Sequence, residues 1–472
     1  MGKYKRLLSN TAILGAGTFI SKVLVFLLMP LYTALLSTKE FGTADILTQT
    51  ANLIIPLAAL GMGDALFRFA IDAEEQKRKE TLGSAIGVLV AAIPCLAALI
   101  QLLRFFEIYD GYIWLVFFYI CSANFHLIFA NYLRACDRTK AFAIQGIANT
   151  VLTILLNILF LVVFEMGVMG YVLSVAVSDF LITVALFFIC KLYREVRFSF
   201  GNTSLVRSML KFGIPYIPTT IMWMITSASD RFIVTAFSGA AENGLYAAAY
   251  KLPTLISLAG GVFIEAWQFS SVNDAKKEER ASFFGNVYRN YVGIMFMVGS
   301  ALVVMSKFMT NLLLDSSYHS SWQYVPVLSI AMIFSAFSAF LGSVYFLEKK
   351  SVRSFVTAGI GAITNILLNF LLIPHFGAMG AAVATVISYL VSFVIRACDT
   401  VKYLRFNLCT VKVTVNTLVI VAQTVIMLLE LPMWLLWQAL FTVFMLVFNG
   451  REIFKAVMQV TKKILGKKAK NI

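Results

Sequence analysis

The chain has 472 residues, of which 60% are hydrophobic and only 13% are charged. Soluble domains carry charge on about a quarter of their residues, so this composition excludes a soluble enzyme, a disordered chain and a secreted disulfide scaffold. A net charge of +15 would suit nucleic acid in a soluble protein, but the basic residues here fall in short clusters between apolar runs. That placement indicates orientation in a membrane, and we expect no nucleic-acid partner.

Fourteen apolar runs are long enough to cross about 30 Å of hydrocarbon. Because these runs are continuous rather than alternating, they predict helices and not a β-barrel. In chain order the predicted spans are 9–36, 44–66, 83–104, 112–133, 143–164, 168–191, 213–238, 244–270, 284–314, 322–347, 355–373, 377–398, 411–429 and 433–449. The expected fold class is therefore an all-α polytopic membrane protein with about 14 transmembrane helices.

The loops predict one orientation for all of these helices. Most of the 39 basic residues lie in the N-terminal segment, in the connections from even-numbered to odd-numbered spans and in the C-terminal tail. By the positive-inside rule both termini are cytoplasmic. The opening MGKYKRLLSN has no small-residue cleavage site, so we interpret the first run as an uncleaved helix. The six cysteines and three histidines show no metal-binding spacing, and no metal is expected.

The two halves of the chain contain an internal repeat. The motifs LLN and G-x-M-G recur at offsets of 212 (Asn157 and Asn369) and 210 (Gly167 and Gly377), and Glu40-Phe41-Gly42 is echoed by Glu242-Asn243-Gly244 at an offset of 202. A repeat unit of six helices predicts two lobes related by a pseudo-twofold axis along the membrane normal. The predicted organisation is a six-helix lobe over 1–191, a cytoplasmic linker over 192–212, a second lobe over 213–400, and two extra helices with a basic tail over 401–472.

Five segments together resemble the polysaccharide-transport (oligosaccharide flippase) family of the MOP superfamily. They are LGMGDALFRF (60–69), SDRFIV (229–234), GLYAAAYKLP (244–253), EAWQFSS (265–271) and NILLNFLLIPHFGAMGAAVATVISY (365–389). The resemblance implies a V-shaped bundle of two lobes that flips undecaprenyl-diphosphate-linked oligosaccharide outward across a bacterial or archaeal cytoplasmic membrane. The implied partners are this lipid-linked substrate, membrane lipids and polysaccharide assembly machinery.

Charged residues inside spans are costly, so they normally face a wet cavity or a partner. Lys22 in the first span and Asp179 in the sixth lie at nearly the same depth. One interpretation is a structural pair. The other is a switch, in which Asp179 binds a coupling H⁺ or Na⁺ and Lys22 is released to the substrate diphosphate. Apart from this coupling ion, no cofactor is expected.

Further candidates follow from depth and chemistry. Arg231 and Lys251 lie at matched depths and suit a diphosphate, although snorkelling to the headgroups is an alternative, as it is for Lys307. Arg68 could bind substrate at the cytoplasmic entrance or form an interfacial ion pair with Asp64, four residues earlier. The candidate ion-coupling acids are Asp179, Asp230, Glu265 and Asp64. Pro30, Pro215 and Pro218 open the first helix of each lobe or interrupt it, and they are the preferred hinges.

The main prediction is a lipid-linked oligosaccharide flippase that works by alternating access. Alternatives are a lipid-linked peptidoglycan precursor flippase and a multidrug or cation antiporter of the same superfamily. A polytopic glycan polymerase or ligase is more remote, because every connection is too short to build a catalytic domain, and we expect a transporter rather than an enzyme.

Overall fold

The computed structural model describes residues 26–71, 73–196, 203–261, 277–348 and 350–450. Within these ranges the chain is almost entirely helical and contains no β-strand, which confirms the all-α class. In chain order the helices are α1 Met29–Leu35, α2 Thr38–Ala58, α3 Met62–Ala70, α4 Glu75–Leu99, α5 Ile113–Ala135, α6 Thr139–Asn157, α7 Gly167–Ile189, α8 Thr203–Lys251, α9 over 254–261, α10 Lys277–Leu313, α11 Tyr324–Leu347, α12 Ser351–Thr400, α13 Thr410–Leu428 and α14 Trp434–Gly450.

Eight helical stretches in the described part of the chain are long and apolar enough to cross a membrane, and a bent pair makes a ninth. Two long helices each contain a break that corresponds to a predicted loop. Helix α8 is broken at Gly239 (φ 87°), and α12 is broken at Gly377 (φ 54°). Each therefore has a first arm and a second arm, which correspond to consecutive predicted spans.

The bent pair replaces the continuous helix expected over 44–66. Helices α2 and α3 meet at an angle of 51°, and Leu60 (φ 51°) and Gly61 (φ 69°) between them have left-handed backbone conformations. Gly61 suits this position because a side chain there would be both strained and blocked. A Cβ on Gly61 would lie 2.5 Å from the carbonyl oxygen of Gly213 in the first arm of α8. The prediction of one continuous helix was wrong, since hydrophobicity does not show such a backbone approach.

The described residues divide into two compact units, 1–244 and 245–472. Unit 1 has two hydrophobic cores, one centred on Leu66, Leu82 and Leu133 and the other on Leu47, Val116 and Val172. Unit 2 has an aromatic core in which the rings of Tyr288, Tyr291, Phe337 and Phe340 pack edge to face, tilted or stacked. By its contacts the first arm of α8 belongs to unit 1. By the sequence repeat, the same arm belongs to the second half of the chain. The domain boundaries predicted from the repeat remain a prediction, because contacts group residues by packing and not by descent.

The G-x-M-G repeat has the same backbone geometry in both units. Gly167 (φ 53°) and Gly377 (φ 54°) both have a positive φ. Three residues later, Gly170 and Gly380 each face a carbonyl of the preceding helix, where a Cβ would lie 3.1 Å from the oxygen of Phe160 and 2.6 Å from that of Leu372. The two carbonyls are themselves 212 residues apart. In each motif the first glycine therefore makes the turn and the second permits helix contact.

The shorter echo forms a reciprocal contact inside unit 1, which we call the glycine seam: Thr38, Gly42, Ala240 and Gly244. A Cβ on Gly42 would lie 1.8 Å from the Ala240 oxygen, and one on Gly244 would lie 1.9 Å from the Thr38 oxygen. The offset of 202 maps Gly42 onto Gly244 and Thr38 onto Ala240, so it exchanges the two contacts. Two copies related by a twofold axis make contacts of this self-complementary kind. The Nδ2 of Asn243 also donates to the Gly42 oxygen at 3.1 Å.

The seam predicts that Gly42→Ala destabilises the protein, by about 1–3 kcal/mol, because the new methyl group overlaps a backbone carbonyl that cannot rotate away. Gly87→Ala in α4 is the matched control, since a Cβ there meets nothing within 4 Å. Thermal unfolding in detergent should give a lower midpoint for Gly42→Ala and an unchanged or higher midpoint for Gly87→Ala. Equal midpoints for the two variants would show that the seam is not tightly packed.

Candidate functional site

A buried ion pair joins α2 to the first arm of α8. Nη1 of Arg231 contacts Oδ1 of Asp45, and the two side chains are only 6% and 7% exposed. Asp45 lies one turn beyond Gly42, while Arg231 lies two turns before the break at Gly239. The second carboxylate oxygen of Asp45 is buried and has no hydrogen-bond partner in the described part of the chain. The ion pair thus holds α2 and α8 together beside the glycine seam.

Aromatic side chains surround this ion pair and exclude water from it. The Tyr171 ring lies 4.8 Å from that of Tyr32 and 6.0 Å from that of Phe41. Tyr171 also interacts electrostatically with both Asp45 and Arg231. In such surroundings a charge pair is strongly attractive once formed, but either charge is costly when its partner is removed.

A second polar cluster lies between α5, α6 and α7, and we call it the histidine cluster: His126, Gln145, Asn149, Ser178 and Asp179. Nδ1 of His126 lies 2.8 Å from Oδ1 of Asp179, and its Nε2 lies 2.6 Å from Oε1 of Gln145. Nδ2 of Asn149 donates to the same Asp179 oxygen at 2.9 Å. The Ser178 hydroxyl donates to Oδ1 of Asn149 at 2.6 Å. Asp179 is therefore fixed by one amide donor, Asn149, and by one titratable partner, His126.

The equivalent place in unit 2 has a polar cluster without charge. Ser388 corresponds to Ser178 at the repeat offset of 210, and Tyr389 occupies the place of Asp179. Nδ2 of Asn365 lies 3.4 Å from the Ser388 hydroxyl, and Asn369 donates to Asn365 at 2.9 Å. Both copies of the repeat thus have polar side chains packed at this place, while the titratable pair of His126 and Asp179 occurs in unit 1.

The other predicted residues that the structure describes are spread over several places. Asp64 and Arg68 are exposed on the short helix α3. Asp230 is buried and accepts the backbone N–H of Arg231 at 2.9 Å. Lys251 is half-buried at the last residue of α8.

Lys307 belongs to a cluster in unit 2. Its ammonium group pairs with Glu430 and lies 4.4 Å and 5.1 Å from the ring centroids of Trp322 and Trp434. Cation–π contacts and an ion pair fix it between α10, the segment before α11 and the α13–α14 connection.

Lys22 and Glu265 lie outside the described residues, so the pairing of Lys22 with Asp179 remains a prediction. Among the candidate hinges, Pro30 lies in the first turn of α1, and Pro215 and Pro218 lie inside the first arm of α8. Their role as hinges also remains a prediction. All six cysteines are free, and no group of three or more His, Cys, Asp or Glu that could hold a metal occurs within the described ranges.

Sequence reasoning missed Asp45, His126 and Arg396. Asp45 and His126 each lie inside a predicted span, and the rule that intramembrane titratable groups are functional candidates would have selected both. Arg396 is 2% exposed and donates to Ser338, Ser354 and Thr357, which joins α11 to both arms of α12. The sequence places it near a cytoplasmic helix end, where a basic residue is expected in any case.

The fold is that of transporters of the MOP superfamily. A solved structure of the lipid II flippase MurJ in an inward closed conformation has a TM-score of 0.74 at 14% identity, covering 95% of this chain and 100% of that chain. An inward-facing multidrug resistance MATE family transporter has a TM-score of 0.65 at 12% identity, covering 81% of this chain and 95% of that one. At such identities these likenesses establish the fold alone.

The family follows from the sequence match. Residues 7–269 match the model of a family described as polysaccharide biosynthesis protein, which is more than half of the chain. The chain belongs to this polysaccharide biosynthesis protein family, which confirms the resemblance seen in the sequence. A protein of Haloferax volcanii described as a probable low-salt glycan biosynthesis flippase is 25% identical over 211 residues, 42% of each chain. This chain therefore matches less than half of the length of that relative.

The ion pair predicts a pattern of stabilities. Asp45→Asn and Arg231→Gln should each destabilise the protein by about 3 kcal/mol or more, because each leaves one buried charge without its partner. The double variant should recover most of that loss, since it removes both charges. Thermal unfolding of the unmodified protein, the two single variants and the double variant measures the interaction between the two side chains directly. Additive losses in the double variant would mean that the two side chains do not interact in the folded protein.

Proposed function

We propose that this protein flips undecaprenyl-diphosphate-linked oligosaccharide from the cytoplasmic to the outer leaflet by alternating access. Membership of the polysaccharide biosynthesis protein family supports a role in glycan assembly. The described function of the Haloferax relative and the shared transporter fold support transport. The site of action would be a bacterial or archaeal cytoplasmic membrane, with both termini inside and with the glycan assembly machinery supplying and receiving the substrate.

The observation that carries the substrate assignment is Arg231, a buried guanidinium whose Nη1 contacts a carboxylate oxygen of Asp45. A phosphate group offers the same acceptors as a carboxylate, with more oxygens and more charge, and arginine binds both through forked hydrogen bonds. A diphosphate that reaches Arg231 would therefore compete with Asp45. Once Asp45 is displaced, the glycine seam and the apolar packing around Phe232 still join α2 to α8, and neither involves a charged attraction.

This exchange gives the substrate a way to change the conformation. A ligand shifts a conformational equilibrium only if it binds one state better than the other. The diphosphate meets that condition, because it binds Arg231 only when the Asp45 contact is open. The switch expected between Lys22 and Asp179 thus has a second candidate in the Asp45–Arg231 pair.

The roles of the other predicted cationic residues rest on different observations. Lys22, Lys251 and Arg68 remain proposed substrate contacts on grounds of charge and depth. The contacts of Lys307 favour a different role, because its ammonium group is already shared by Glu430 and two tryptophans. We propose that Lys307 anchors the C-terminal hairpin α13–α14 rather than binding the substrate.

Flipping is tested in proteoliposomes that contain the purified protein and an undecaprenyl-diphosphate-linked glycan. We expect oxidation of the glycan by external periodate to rise with time in these vesicles and to stay at the background level in protein-free vesicles. Parallel vesicles with a lipid-linked peptidoglycan precursor or a cationic drug separate the two alternative transporters. Transport of the drug with no movement of the glycan would overturn the proposal.

Arg231→Ala should reduce glycan flipping at least tenfold, and Arg231→Lys should restore only part of it, because a point charge replaces the guanidinium fork. Lys140→Ala is the matched control, since Lys140 is an exposed cation at the start of α6. The measurement is the initial flipping rate in proteoliposomes with equal amounts of folded protein. Full activity of Arg231→Ala would remove this residue from the substrate path.

A further inference from the structure

We propose that His126 and Asp179 together bind the coupling proton, and that the amide of Gln145 distinguishes the protonated from the deprotonated pair. The proposal rests on the proposed ion-coupled transport and names its ion and its site. No sequence motif pointed to His126, and the inference comes from the geometry of the histidine cluster.

The number of acceptors around the imidazole determines how many protons the pair holds. Both ring nitrogens of His126 face oxygens, one of Asp179 at 2.8 Å and one of Gln145 at 2.6 Å. A neutral imidazole has one N–H, so it can donate to only one of them. Both contacts are hydrogen bonds only if a second proton is present, either on the ring or on the carboxyl of Asp179. This arrangement of acceptors is the one that a protonated pair would satisfy.

The deprotonated pair requires a different orientation of Gln145. With one proton fewer, the N–H at Nδ1 of His126 still donates to Asp179, and Nε2 becomes an acceptor. Gln145 must then rotate its amide by about 180° so that its NH₂ group donates to Nε2. Asn149 already donates to Asp179 from the other side, and Ser178 fixes the Asn149 amide. Gln145 is thus the element of the cluster that responds to the proton.

The site accepts a proton more readily than a metal cation. Hard cations need several oxygen ligands, but Oδ1 of Asp179 already accepts from both His126 and Asn149. The side chains of His126 and Asp179 are 16% and 10% exposed, so the cluster is not fully enclosed by protein.

A line of polar groups joins this site to the ion pair. Tyr119 on α5 interacts electrostatically with Asp179 and with Tyr171 on α7. Tyr171 in turn interacts with Asp45 and Arg231. Among the described residues, no titratable side chain of α6 contacts His126 or Asp179. The hydroxyl of Tyr119 donates to Oδ1 of Asn52 in α2 at 3.4 Å. Tyr119 and Tyr171 thus lie between the histidine cluster and the pair of Asp45 and Arg231.

The test is nitrogen NMR of the full-length protein in nanodiscs with ¹⁵N-labelled histidine. The chain has three histidines, so His319→Gln with His375→Gln leaves His126 as the sole signal. Imidazole nitrogen shifts distinguish the cationic ring from each neutral tautomer. At a pH where His126 is partly protonated, Gln145→Glu should raise the cationic fraction several-fold, because a carboxylate accepts and cannot donate. Asp179→Asn should lower it, and Gln76→Glu, on the exposed start of α4, should leave it unchanged.

A neutral His126 throughout pH 5 to 8, or a titration that neither Gln145→Glu nor Asp179→Asn shifts, would overturn the proposal. If Asp179→Asn does not fold, the effect of Gln145→Glu on the cationic fraction of His126 is sufficient to test the proposal. The measurement contains no lipid-linked glycan, so it does not depend on flipping. Absence of flipping with a normal His126 titration would refute the proposed function, whereas flipping with an unresponsive His126 would refute the proton site.

Discussion

The structure of unit 1 depends on one interaction, the buried ion pair between Asp45 and Arg231. A charge pair in an apolar setting contributes little net stability compared with apolar side chains of the same size, yet losing one partner is costly. Such a pair therefore functions well as a latch, because the closed state is specific and an anion of similar geometry can take the place of the carboxylate. The glycine seam beside it makes close approach of the two helices possible, since any Cβ at Gly42 or Gly244 would collide with a backbone carbonyl.

The two halves of the chain share a scaffold but not a charge distribution. The G-x-M-G glycines recur with the same backbone geometry in both units, and Asn157 and Asn369 are both fully buried. The titratable pair His126 and Asp179 occurs in unit 1, and the corresponding position in unit 2 has Tyr389. An uncharged copy can preserve packing while the charged copy binds an ion. Coupling in the proposed mechanism therefore arises in unit 1, which also contains the Asp45–Arg231 pair.

Much of the fold could be predicted from the sequence, because apolar length and basic loops are direct consequences of the bilayer. The positions of most spans and the glycine repeat follow from those signals alone. The break at Leu60 and Gly61 could not be predicted, since it depends on a contact with Gly213. Only part of the site could be predicted: Arg231 and Asp179 stand out as charges in apolar runs, but the sequence does not show which groups pair with them. Asp45 is 186 residues from Arg231, and only the folded chain brings them together.

The central claim is that an anionic lipid head displaces Asp45 from Arg231 and releases α2 from α8. Spin labels on Lys39→Cys and Ser238→Cys, both at exposed positions beside the seam, report the separation of these helices in a cysteine-free background. Pulsed electron spin resonance in nanodiscs should show a longer distance on addition of undecaprenyl diphosphate and no change with uncharged undecaprenol. An unchanged distance distribution at saturating undecaprenyl diphosphate would contradict the account.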